Sequence, residues 1–100
     1  MSFYLLVLVL TSETIFSVHV PYGMELEGDA VNHTYHACAK ITSYDEAVDL
    51  WEKANESLSE PGDQWEGTIY KVSIFGTEVY VSPTALTYAD SLRVHQKRYD

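Results

Sequence analysis

The pattern of apolar and polar residues along the chain predicts five strands and two helices. Apolar residues run without interruption from Phe3 to Leu10, and extended patterns recur over 15–20, 33–41, 65–75 and 78–81. Short polar or glycine-containing segments separate the first two and the last two strands, which predicts two hairpins. Because the first strand is apolar on both faces, we expect it to be covered on both sides or to contact a partner subunit.

Residues 43–60 have the pattern of an amphipathic helix. Ser43 and Glu46 form a capping box at its start, and Pro61-Gly62 ends it. The apolar residues that recur every three or four positions are Tyr44, Ala47, Trp51, Ala54 and Leu58. A second helix is predicted to begin at Ser82-Pro83, because serine is a favourable N-cap and proline a favourable first helical residue.

The order strand, strand, strand, helix, strand, strand, helix predicts an α+β fold. We expect a mostly antiparallel five-stranded sheet with two helices packed on it. The 100 residues, 46% of them hydrophobic, suffice for a single domain over 1–100 with one core. Cys38 is the only cysteine, so an internal disulfide is excluded and a cytoplasmic location is expected. The apolar first segment is too short to span a bilayer, so no membrane association is expected.

Acidic residues are concentrated on one side of the first predicted helix. The chain carries a formal charge of −9, and Lys53 is the only base within 43–60. Residues spaced by three or four positions share a helix face, with neighbours about 5–6 Å apart, comparable to the phosphates of a nucleic-acid strand. The members of this acidic row are Asp45, Asp49, Glu52, Glu56 and Glu60. We expect it to bind a basic protein surface and to repel nucleic acid, although an ordinary solvated helix face is an alternative.

Two further groups of polar residues are candidates for a site. Residues 21–32 are predicted to form a long functional loop, and its acids Glu25, Glu27 and Asp29 would extend the partner-binding surface. His33, His36 and Cys38 are of the types that bind zinc, but in a strand His33 faces away from the other two. We therefore expect no metal site and no cofactor. Phosphate-binding, dinucleotide-binding and nucleophile motifs are absent from the sequence, so no catalytic residue and no enzyme activity are expected.

The combination of small size, acidic charge, single α+β domain and absence of catalytic motifs resembles the small phage-encoded inhibitors of bacterial defence, notably anti-CRISPR proteins. The resemblance lies in this profile and not in a shared motif, so no site residue is transferred. It implies a stoichiometric inhibitor in the bacterial cytoplasm that binds a CRISPR effector and blocks its nucleic-acid path, by nucleic-acid mimicry, or its recruitment of a nuclease. The alternative is a structural or assembly subunit that forms a homodimer through its apolar first strand.

Overall fold

The protein is a five-stranded antiparallel sheet with a helix packed on one face. The computed structural model describes residues 2–12, 24–29, 33–58, 62–87 and 89–91. Its elements are β1 (Ser2–Thr11), β2 (Glu25–Asp29), β3 (Thr34–Ile41), α1 (Tyr44–Glu56), β4 (Glu66–Phe75) and β5 (Glu78–Leu86). The strands lie in the order β2-β3-β1-β4-β5, and residues 89–91 are helical and open a second helix. The predicted α+β class and order of elements are confirmed.

β1 is the central strand of the sheet. It pairs antiparallel with β3 along one edge and with β4 along the other, so that Leu6 lies opposite both Ala39 and Ile69. Its residues Leu6, Leu8 and Leu10 face α1 and are buried, which accounts for one of its two apolar faces. The predicted hairpin partner, residues 15–20, lies outside the described residues. Since β3 and β4 occupy both edges of β1, the predicted pairing of the first strand with that segment is wrong.

The expected loop over residues 21–32 contains a strand instead. β2 pairs with β3, with Glu25 opposite Cys38 and Asp29 opposite Thr34. Glycine at position 28 lets the Tyr35 ring pack close to the β2 backbone, because a Cβ there would lie 2.8 Å from Cδ1 of Tyr35 and would displace the ring. The loop prediction is therefore wrong for Glu25–Asp29. The prediction failed because the segment's own sequence is too polar to have a strand pattern, and pairing with β3 stabilises it as a strand.

α1 begins where the capping pattern predicts. The side chain of Ser43 accepts a hydrogen bond from the Glu46 amide at 3.2 Å. The Glu46 carboxylate accepts from the Thr42 hydroxyl at 3.2 Å, so in the structure it bonds to the residue before the cap. The helix ends at Glu56 with Ser57 as its C-cap, earlier than residue 60. The expected amphipathic helix is confirmed over these residues.

The core lies between α1 and one face of the sheet. Its largest fully buried apolar side chains are Leu6, Leu8, Leu10, Val48, Trp51, Trp65 and Ile69. Nε1 of Trp51 donates to the Trp65 carbonyl oxygen at 2.8 Å, and the Trp65 amide donates to Oδ1 of Asn55 at 2.6 Å. These two bonds join the C-terminal half of α1 to the residue that precedes β4.

β5 continues past the predicted helix start at Ser82-Pro83. Pro83 lies opposite Tyr70 in the ladder with β4, so the prediction that a helix begins there is wrong. Proline is tolerated because β5 lies at the edge of the sheet formed by the described strands, where a missing N–H can face away from β4. The second helix begins after Thr87, whose hydroxyl oxygen accepts from the Asp90 amide at 3.2 Å. The remainder of that predicted helix, 92–100, lies outside the described residues.

Candidate functional site

Within the part of the chain that the structure describes, the two faces of the sheet differ in what covers them. Successive residues of a strand point to opposite faces, and directly paired residues share a face. α1 packs on the side of Leu6, Leu8 and Leu10, where the core lies. The other side, here called the open sheet face, carries Phe3, Leu5, Val7 and Val9 of β1 and their partners on β3 and β4. Leu5 and Val7 are half-buried there, and Val9 is 38% exposed.

Glu25 and Glu27 lie at the margin of the open sheet face. They pair with Cys38 and His36, which in turn pair with Val7 and Val9 of β1. Both glutamates are exposed. A depression of about 280 Å³ lies between them and β1, lined by Leu5, Val7, Glu25, Glu27, His36, Ala37 and Cys38. We call it the acid-edged depression. The structure thus brings two of the predicted partner-binding residues beside the apolar side of the first strand.

The acid-edged depression is suited to contact an apolar group that lies next to a positive charge. Leu5 and Val7 provide the apolar floor, and the two exposed carboxylates provide negative charge at its edge. Lys40, the base on the same face of β3, interacts with a different group: its Nζ lies 4.4 Å from the ring centre of Phe3. A basic side chain from another molecule could therefore meet Glu25 and Glu27 while its neighbours contact the floor.

The acidic row of α1 lies on the opposite side of the sheet from Glu25 and Glu27. Asp45, Asp49 and Glu52 are half-buried, and each interacts with another group of the protein. Glu56 is exposed, and so is Lys53. The prediction that the whole acidic row is exposed is therefore wrong for Asp45, Asp49 and Glu52. Their spacing places them on the flank of the helix, between its buried and exposed sides.

Two predicted binding residues, Glu60 and Asp29, are not assigned to either surface. Glu60 lies outside the described residues. Asp29 is the last residue of β2, opposite Thr34, and so belongs to the strand and not to a loop. The two groups of acids were predicted to form one surface, but the described members lie on opposite layers of the fold.

His33, His36 and Cys38 do not form a ligand group with other described side chains. His33 lies in the turn before β3, with a φ of 54°, and His36 and Cys38 lie on the open sheet face. Across the described ranges, no three His, Cys, Asp or Glu side chains are arranged to hold a metal ion. Cys38 is a half-buried free thiol.

Two tyrosines have raised pKa values. Burial raises the pKa of Tyr44, and the nearby Asp45 carboxylate and Tyr4 add to this effect. The rings of Tyr44 and Tyr4 meet edge to face at 5.8 Å. The hydroxyl of Tyr80 donates to the Glu78 carboxylate, and this hydrogen bond raises the pKa of Tyr80. Tyr44 is thus a packing residue at the start of α1, and Tyr80 is a surface residue.

Sequence reasoning missed an exposed apolar patch at the tip of the β4–β5 hairpin. Phe75, Val79, Tyr80 and Val81 are 65%, 60%, 51% and 57% exposed. The rings of Phe75 and Tyr80 contact edge to face at 5.8 Å. The signal in the sequence is Ile74-Phe75 before the turn and Val79-Tyr80-Val81 after it, because consecutive apolar residues in a strand lie on both faces.

Comparisons with protein-family models, curated proteins and solved structures found no match to this chain. Among the described residues, no helix is both long enough and apolar enough to cross a membrane.

Proposed function

We propose that this protein acts by binding a basic protein surface through the acid-edged depression. The observation that carries the proposal is the position of exposed Glu25 and Glu27 beside the half-buried apolar residues Leu5 and Val7. An apolar centre with charge at its margin is the usual anatomy of a protein interface. The formal charge of −9 supports a basic partner, because it accelerates encounter with positive surfaces and opposes contact with nucleic acid.

The role we propose is inhibition of a nucleic-acid-handling complex of a bacterial host, of the anti-CRISPR type. Such a complex has a positively charged channel for its nucleic acid, and an acidic protein bound there excludes the substrate. The proposed action is stoichiometric binding in the cytoplasm without catalysis. The exposed acids of α1 supply a second negative surface on the other layer, which adds long-range attraction to the same partner.

The test measures target-DNA cleavage by a panel of purified CRISPR effector complexes, with increasing amounts of the protein. The informative variant is Glu25→Lys combined with Glu27→Lys. The matched control is Glu46→Lys combined with Glu56→Lys, which makes the same change of charge at exposed positions of α1. We expect the wild type and the control to inhibit at least one effector, and the first variant to bind that effector about tenfold more weakly or worse.

The outcomes separate the role from the surface. If the wild type inhibits no effector in the panel, the anti-CRISPR role is refuted. If the Glu46 and Glu56 variant loses inhibition while the Glu25 and Glu27 variant keeps it, the interface lies on α1. Inhibition that is insensitive to salt would contradict an electrostatic contribution to binding.

A second candidate is an assembly subunit that packs through the apolar side of β1. Partly exposed Val9 and half-buried Val7 on the open sheet face favour it. Backbone pairing through β1 is ruled out by its central position, so only side-chain packing is available. Two copies packed face to face would bring the carboxylates of Glu25, Glu27 and Glu66 toward those of the partner, which opposes self-association on this face. Val9→Lys would abolish a dimer of this kind in light scattering.

A further inference from the structure

The tip of the β4–β5 hairpin exposes apolar side chains on both of its faces. Phe75 and Tyr80 lie on the side of the sheet that α1 covers elsewhere, and Val79 and Val81 lie on the open sheet face. α1 packs on β1, β3 and β4, so the outer part of β5 extends beyond the helix. A two-stranded ribbon with both faces in water is poorly stabilised, and contiguous apolar exposure of this kind marks an interaction surface.

The backbone of β5 offers unpaired hydrogen-bonding groups along the edge of the sheet. Among the described residues, β5 has one neighbouring strand, β4. Pro83 lies opposite Tyr70 of β4 but has no N–H to donate to it, so this is a non-hydrogen-bonded pair. In such a pair the backbone groups of the β5 residue face away from β4. Because this direction alternates along the strand, the N–H and C=O groups of Val79 and Val81 also face outward. They form a short template for another strand.

The register of an added strand is limited at both ends. The turn at Gly76-Thr77 ends β5 on one side. Pro83 would leave a carbonyl of the partner unbonded if it entered the new ladder. Only Val79 and Val81 lie between these limits with outward groups. Tyr80, midway between them, is therefore the point about which an antiparallel partner would be centred.

The charge of β5 favours a second copy of this chain as the partner. Glu78 is the only charged residue in the strand, whereas the whole chain carries −9. Two copies that meet through the margin of Glu25 and Glu27, or through the exposed acids of α1, bring several carboxylates together, whereas β5 contributes one carboxylate per copy. The segment around Tyr80 is also self-complementary. In an antiparallel pair centred on Tyr80, Val79 of each copy lies opposite a valine, the one at position 81, of the other copy.

We infer that two copies of this protein pair antiparallel through β5, with the two-fold axis at Tyr80. Val79 then bonds to Val81 of the partner subunit, and Val81 bonds to Val79 of the partner subunit. The two sheets become one continuous sheet, and the apolar side chains on both faces of the tip pack against their counterparts. This interface is separate from the acid-edged depression, which remains free on each copy.

Cysteine cross-linking tests the register. In a Cys38→Ser background, Tyr80→Cys puts two thiols directly opposite each other in a non-hydrogen-bonded pair, with Cα atoms about 4.5 Å apart. That separation lies within the range of about 4.4–6.8 Å that a disulfide needs. The matched control is Thr84→Cys, on the same strand and face, whose counterpart would lie roughly 27 Å away at ~3.4 Å per residue. We expect the disulfide-linked dimer to be the main oxidised product for Tyr80→Cys and to be absent for Thr84→Cys.

The mass in solution provides a second measurement that needs no new cysteine. Light scattering of the wild type should give twice the chain mass of 11.3 kDa. Val81→Lys, at a 57% exposed position, should give the monomer mass with an unchanged circular dichroism spectrum. Val9→Lys is the matched control on the central strand and should remain dimeric.

Three results would overturn the inference. They are a monomeric wild type at every concentration, a dimer that persists in Val81→Lys, and equal cross-linking of Tyr80→Cys and Thr84→Cys. None of them bears on binding through Glu25 and Glu27, so the two proposals fail independently.

Discussion

Replacing Trp51 with phenylalanine should lower the free energy of unfolding by about 2–4 kcal/mol. Trp51 is fully buried, and its Nε1 donates to the Trp65 carbonyl oxygen at 2.8 Å. Phenylalanine leaves that buried carbonyl without its donor, at a cost of about 1–3 kcal/mol. Roughly 40 Å³ of side-chain volume is also lost, which adds about 1 kcal/mol at ~24 cal/mol per Å³ of cavity. For a domain whose total stability is on the order of 5–15 kcal/mol, this loss is large.

Urea denaturation followed by tryptophan fluorescence measures this effect. The variant keeps Trp65, which is fully buried and becomes the single tryptophan reporter of unfolding. Trp65→Phe is the matched control, because it removes the same volume from a fully buried tryptophan whose Nε1 has no hydrogen-bond partner among the described residues. It should cost only the cavity term of about 1 kcal/mol, with Trp51 as its reporter. Equal stability of Trp51→Phe and the wild type would refute the reasoning that this bond fixes α1 to the start of β4.

Two further substitutions test the packing of the sheet and the burial of a tyrosine. Gly67→Ala should cost about 1–3 kcal/mol in thermal denaturation, because its Cβ would lie 2.5 Å from Cδ2 of Leu8 and 2.9 Å from the backbone oxygen of Val7; an unchanged melting temperature would contradict that close approach. Burial and Asp45 raise the pKa of Tyr44 in the folded state, so the stability linked to its proton is complete below pH ~10 and is lost as the pH rises through the raised value. Wild type should therefore lose stability more steeply than Tyr44→Phe above pH ~10, and parallel stability curves would show that Tyr44 is not responsible.

Local chemistry was sufficient to predict α1 and the β4–β5 turn. Ser43 caps the helix as predicted, and the apolar residues Ala47, Trp51 and Ala54 are buried as the spacing required. Gly76, with a φ of 64°, is the glycine that the turn needs. Each of these features depends on residues within one or two turns of chain, so the sequence contains the information directly.

The candidate site could be predicted only in part. Glu25 and Glu27 were selected for their charge, but the loop expected to carry them is an edge strand that pairs with β3. The acidic row of α1 was selected for its spacing, which could not show that Asp45, Asp49 and Glu52 are half-buried. The sequence did not show that the two groups lie on opposite layers, because the sheet between them depends on pairing across distant segments.

The sequence by itself determined the α+β class, the helix with its cap and apolar face, and an unusually apolar first strand. Tertiary structure alone decided that this strand is central, that Glu25–Asp29 is a strand, and that β5 passes through Pro83. The physical reason is the range of the interactions involved. Capping and helical periodicity act between neighbours, whereas strand order and edge position follow from hydrogen bonds between residues far apart in the chain.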